Sequence, residues 1–121
     1  MRYRKMGEAL RATDRSIIYN ICEWGRRKPW EWAKEVGGHY WRTTEDIRDA
    51  WDLRESGTGL YGIMDIIDVN GELADYAGPG FWNDPDMLVV GIFGNSSSIN
   101  SGKVQYGCTL KEYRTHMSMW C

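Results

Sequence analysis

Residues Tyr40–Trp51 read YWRTTEDIRDAW, and the fold turns on this stretch. An apolar, strand-like opening runs into the guanidinium of Arg42 and the carboxylate of Asp46, and then into the helical spacing of Ile47, Ala50 and Trp51. The pattern predicts a strand end turning into a helix. In a strand-helix repeat protein, reactive side chains gather at the carboxyl ends of strands, because the loops there face solvent yet are held by a rigid scaffold. The same residues support a plainer reading. Thr43 and Asp46 have the spacing of a capping box, in which both side chains would satisfy free backbone N–H groups at the start of the helix.

The chain has 121 residues, 42% of them hydrophobic and 26% charged, with a formal net charge of -2, which suits about one globular domain. It holds no apolar run of membrane-spanning length, and the opening MRYRKMGEALRATD has basic residues without the apolar core of a signal peptide. The near-neutral charge and the lack of a basic stripe argue against a nucleic-acid partner. Seven Trp and seven Tyr are many for this length. Aromatic rings stack on the apolar faces of sugars, but they also fill cores. Cys22, Cys108 and Cys121 lack the short paired spacings of a zinc or redox site, so no metal site is expected. Their odd number leaves at least one thiol unpaired within the chain.

In chain order, Met6–Thr13 places Met6, Ala9 and Leu10 on one helical face, and Ser16–Cys22 (SIIYNIC) reads as a buried strand closed by Glu23 and Trp24. A turn at Gly25 and a helix built on Trp30, Ala33 and Lys34 follow, ending at Gly37–Gly38. After the strand and helix of Tyr40–Trp51 and a loop at Ser56–Thr58, a further helix is expected up to about Asp68. Gly78-Pro79-Gly80 then forces a loop, Pro85 keeps Asp84 out of helix, and Met87–Val90 continues as an apolar stretch with Asp86 at its edge. Gly94–Gly107 reads as an excursion rich in Ser, Asn and Gly. Thr109 and Glu112 form a capping box opening a last helix.

Alternation of this kind, without a hairpin signal, predicts α/β architecture with parallel strands and right-handed crossovers. An eight-stranded (β/α)8 TIM barrel needs about 250 residues, so the chain would supply about half of the repeats. An open doubly wound sheet is the rival, although no Gly-rich phosphate loop follows a strand. Glu23, the pair Arg42 and Asp46, and Asp86 then close successive strands on one rim. Glycoside hydrolysis needs such a rim, since one carboxyl must stay protonated to serve the leaving oxygen while polar groups hold the sugar. Surface ion pairs and helix caps would use the same residues.

The strings YNICEWG (Tyr19–Gly25), WRTTEDIRDAW (Trp41–Trp51) and GPGFWNDPDMLVVG (Gly78–Gly91) resemble the α-galactosidases of glycoside hydrolase family 27, and the opening and closing segments are similar too. The resemblance implies a retaining (β/α)8 enzyme that removes terminal α-linked galactose without a cofactor. It places residues 1–121 from about the helix after strand 4 to the helix after strand 7 of the catalytic domain. By the same resemblance Asp46 is the general acid/base, Arg42 holds sugar hydroxyls, and Glu23 accepts from the 2-hydroxyl, which favours galactose over N-acetylgalactosamine. Asp86 and Met87 are a polar and an apolar member of the pocket, and Trp24 is a further substrate-binding residue. Cys22 matches a cysteine that is disulfide-bonded in relatives to one near the nucleophile.

The family's nucleophilic Asp belongs to a strand that would precede Met1, so the isolated polypeptide is expected to be inactive. Arg26 stands where plant relatives carry an aromatic. The alternatives are an inactive sugar-binding or structural fragment, and a relative acting on another α-linked sugar. The expected partner is a carbohydrate with terminal α-galactose, with no nucleic acid and no membrane. The resemblance is compatible with a secreted, periplasmic or lysosome-like location. Asn95-Ser96-Ser97 bears on glycosylation in the secreted case alone, and oligomeric state is not legible.

Overall fold

Asn20–Ile21 (β1), Tyr40–Arg42 (β2) and Trp82–Asp84 (β3) form a parallel sheet in the order β1-β2-β3, in a computed structural model that describes residues 2–87. The register sets Asn20 beside Tyr40 beside Trp82, Ile21 beside Trp41 beside Asn83, and Arg42 beside Asp84. Neighbouring side chains along a strand point to opposite faces, so these rows alternate between the two sides of the sheet. The Ile21 and Trp41 row is the core side. Both residues are fully buried with Ala33 and Val36, and Tyr3, Tyr19, Trp30, Trp32 and Phe81 pack around them. A buried indole N–H is costly to leave unmade, and that of Trp41 donates to Asn83 Oδ1 at 2.8 Å. On the other face Trp82 is 52% exposed.

The chain forms two compact units. Of the described residues, the first holds those up to Thr44 and Val69–Pro85, and with them the sheet; the second holds Glu45–Asp68 with Asp86 and Met87. In the first, helix α1 (Arg2–Arg11) comes close to the turn before β2 because Gly7 has no side chain: a Cβ there would lie 1.9 Å from Val36 O. The predicted strand Ser16–Cys22 shrinks to its two residues paired with Tyr40 and Trp41, and Ile18 upstream is 70% exposed. The predicted helix on Trp30, Ala33 and Lys34 is two 3₁₀ turns, Pro29–Glu31 and Lys34–Val36. Lys28 is left-handed before the first, Trp32 breaks the helical run at φ -133° between them, and left-handed Gly37 stops the second. Each interruption prevents the i to i-4 ladder from propagating.

In the second unit the helix expected over Ile47, Ala50 and Trp51 is absent. This segment instead runs beside Tyr61: Ile47 and Tyr61 form a parallel bridge, the Arg48 N–H donates to Tyr61 O at 2.8 Å, and the Ile63 N–H donates to Ala50 O at 3.0 Å. Burial explains the preference, because Ile47 joins Ile63 and Ile66 in a small core with Trp51, Tyr61 and Ile67 around it. The capping-box reading fails with the helix; within the first unit, the Thr43 hydroxyl lies 3.2 Å from Asn70 Oδ1 and 3.3 Å from Asp84 O. Helix α2 spans Ile63–Glu72, with Ile63–Asp68 in this unit, and runs four residues past the expected end at Asp68. Its first turn is fixed by Asp65, whose Oδ2 accepts from the N–H groups of Gly62 at 2.8 Å and Leu53 at 2.9 Å. A carboxylate there also complements the positive end of the helix dipole.

Asp49 lies in the same unit with a buried Oδ1 that has no hydrogen-bond partner among the described residues, and burial raises its carboxyl above the usual range. A carboxyl whose folded pKa is raised favours the fold below its unfolded pKa and loses that contribution as pH rises through the folded value. Asp49→Asn is therefore expected to melt higher than wild type at neutral pH. Thermal unfolding followed from pH 3 to 7 should show the difference closing as the solution is acidified; a difference that widens in acid would contradict it.

The Leu88–Val90 part of the apolar stretch, the Gly94–Gly107 excursion, the Asn95 triplet, Cys108, Cys121 and the Thr109–Glu112 capping box lie outside the described residues. Among the described residues no helix is long and apolar enough to cross a membrane.

Candidate functional site

The parallel sheet puts the carboxyl ends of its strands side by side, and charged residues stand there. Arg42 ends β2 and Asp84 ends β3, in register with each other. Arg42 is 7% exposed and its Nη2 donates to Thr44 O at 3.3 Å. On the face of the sheet opposite the core, Asp84 Oδ2 accepts from Asn20 Nδ2 at 3.0 Å, a bond that reaches across β2 from β1 to β3.

Glu23 follows β1 by two residues and is 8% exposed. A carboxylate can be buried this far only when its oxygens are bonded. The Tyr3 hydroxyl donates to Oε2 at 2.7 Å, and Arg27 Nε donates to Oε1 at 2.6 Å. Next to it the backbone reverses sharply: Trp24 has φ 55° and Gly25 φ 73°, both left-handed. The turn leaves the Trp24 ring 40% exposed, with the Arg26 guanidinium 4.8 Å from its centroid, a cation–π contact. Gly25 is required twice over, since a Cβ would stand 2.0 Å from Thr43 O. Cys22, the residue before Glu23, is exposed and forms no disulfide among the described residues.

The second unit holds the other site residues expected from sequence. Asp46 is exposed. Asp86 adopts a left-handed φ of 80°, a strained value for a residue with a side chain, and its Oδ2 accepts from the Ile47 N–H at 2.7 Å. That bond ties Asp86 to the residue after Asp46. Met87 is 66% exposed.

Thus Glu23, Trp24 and Arg42 belong to one unit, and Asp46, Asp86 and Met87 to the other. Sequence reading missed Tyr3, Asn20 and Asp84. Asp84 had a legible signal, being an acidic residue at a strand end held extended by Pro85. Tyr3 had none, because its role depends on how α1 lies against β1. Among the described residues, no group of three or more His, Cys, Asp or Glu side chains could hold a metal ion.

The described fold is a small parallel α/β sheet with a guanidinium and carboxylates at or just after the carboxyl ends of its strands. A family model described as alpha galactosidase A (melibiase) matches residues 1–119, and the chain belongs to that family. Alpha-galactosidase A of Cellvibrio japonicus is 39% identical over 98% of this chain, and alpha-galactosidase 3 of Arabidopsis thaliana is 46% identical over the same share. The chain covers 26% and 22% of those two proteins, so it spans about a quarter of the length of the curated relatives it matches. Among solved structures, a Bacteroides fragilis protein provisionally assigned as an α-galactosidase/melibiase is 57% identical, with a TM-score of 0.81 over 99% of this chain and 24% of its own.

Proposed function

We propose that this chain is part of the (β/α)8 catalytic domain of a retaining α-galactosidase, running from about the helix after strand 4 to the helix after strand 7. The observation that carries the reading is the alignment of Glu23, Arg42 and Asp84 at the ends of adjacent parallel strands, in a chain of the alpha galactosidase A family. Asp46 is the general acid/base, protonating the glycosidic oxygen and later deprotonating the attacking water. Its exposure suits a group that exchanges protons with substrate and water. Arg42 holds sugar hydroxyls, and its burial fixes the donor geometry. Asp86 and Met87 supply a polar and an apolar wall, and the open ring of Trp24 supplies a stacking surface. The nucleophile is an Asp outside this chain, Cys22 is the half of a disulfide whose partner lies near it, and no cofactor takes part. The substrate is a carbohydrate with a terminal α-galactose.

Glu23 sets the sugar preference by accepting from the 2-hydroxyl, where an acetamido group would not fit. In the complete protein, kcat/KM for para-nitrophenyl α-galactoside should exceed that for the matching N-acetylgalactosaminide. Glu23→Ala should narrow the ratio by about 10- to 100-fold, the worth of a hydrogen bond to a charged group. A ratio unchanged in the variant would remove Glu23 from sugar recognition.

A further inference from the structure

The two bonds on Glu23 come from different kinds of donor. Arg27 reaches it with a side chain that is 68% exposed, on a turn, where water can substitute for it. Tyr3 reaches it from α1 with a ring that is packed in place. Its centroid is 5.3 Å from that of Trp32, its backbone oxygen accepts from the Tyr19 hydroxyl at 3.5 Å, and its own hydroxyl also lies 3.3 Å from Cys22 O. Burial first, and then the hydrogen bond to Glu23, push the Tyr3 phenol up to about 12, so it remains a proton donor through the neutral range. A carboxylate has about four acceptor positions, and the two bonds occupy one on each oxygen. Among the described residues one position on each remains, and its direction is set by the bonds already made.

We infer that Tyr3 is a positioning residue for sugar specificity: its hydroxyl fixes the Glu23 carboxylate so that a free lone pair is aimed at the 2-hydroxyl of the bound galactose. The inference rests on the reading of Glu23 above. Tyr3 touches no substrate and acts only through Glu23. A merely structural Tyr3, fastening α1 to the end of β1, would weaken the handling of every substrate alike; a positioning Tyr3 matters only when there is a 2-hydroxyl to bind.

The test uses the complete protein and two substrates, para-nitrophenyl α-galactoside and its 2-deoxy analogue. Tyr3→Phe keeps the ring beside Trp32 and deletes the donor. It should raise KM for the galactoside about tenfold with little change in kcat, and leave both constants for the 2-deoxy substrate unchanged. Glu23→Gln is the reference. If Glu23→Gln discriminates between the substrates and Tyr3→Phe does not, or Tyr3→Phe impairs both equally, the inference is overturned and the reading of Glu23 stands. If Glu23→Gln itself fails to discriminate, the reading of Glu23 falls and takes the inference with it. Should Tyr3→Phe not fold, a fluorinated tyrosine of lowered phenol pKa at position 3 replaces it. Its ionisation would then raise KM for the galactoside alone as pH rises, and the absence of that step would overturn the inference.

Discussion

Gly25→Ala is expected to destabilise the complete protein by about 3 kcal/mol or more, and to impair the site formed by its neighbours. Two costs combine. At φ 73° an L-residue is strained by about 1–2 kcal/mol. The new Cβ would also stand 2.0 Å from Thr43 O, a backbone atom directly after β2 that cannot rotate away as a side chain could. Relief requires β2 or the Glu23–Gly25 turn to shift, and either movement displaces Arg42 or Glu23. Gly57→Ala supplies the control, because Gly57 has φ 65° and, among the described residues, nothing within 4 Å of its would-be Cβ. Urea denaturation of both variants separates strain from collision. A loss at Gly25 no greater than that at Gly57 would mean that the close approach to Thr43 does not exist.

Asp46→Asn should produce the largest loss of activity. General acid catalysis contributes about 10²- to 10⁴-fold, and that is the expected fall in kcat/KM for a natural α-galactoside, whose sugar leaving group departs poorly without a proton. An aryl galactoside that leaves readily as an anion should be cleaved nearly as well by the variant in the glycosylation step. Activity within tenfold of wild type on the poor leaving group would exclude Asp46 as the acid, since that is below the smallest contribution expected of such a group.

The parts of the fold that the sequence announced are those controlled by local chemistry. Tyr40–Arg42 is a strand because apolar aromatics alternate into a buried row, and its parallel neighbours follow from the absence of hairpin turns. The turn at Glu23–Gly25 was marked by its glycine. What was not legible depends on distant partners. Ile47, Ala50 and Trp51 have a helical spacing, yet pairing with Tyr61–Met64 and burial against Ile63 and Ile66 override it. The aromatic segment after Pro29 carries helical spacing too, but left-handed residues on both sides limit it to single turns. Among the proposed site residues, Glu23, Arg42 and Asp46 could be picked out as charges at predicted strand ends. Neither Tyr3 nor Asn20 could, because each matters through a partner far away in sequence, Glu23 for one and Asp84 for the other.

The most direct test of the central proposal is hydrolysis of a terminal α-galactoside by the purified complete protein, run beside the 121-residue polypeptide alone. The complete protein is expected to release galactose as its α-anomer and to leave the matching β-galactoside intact, and the isolated polypeptide to release none. Turnover by the isolated polypeptide, or no release of galactose from any α-galactoside by a complete protein that is folded, would contradict it.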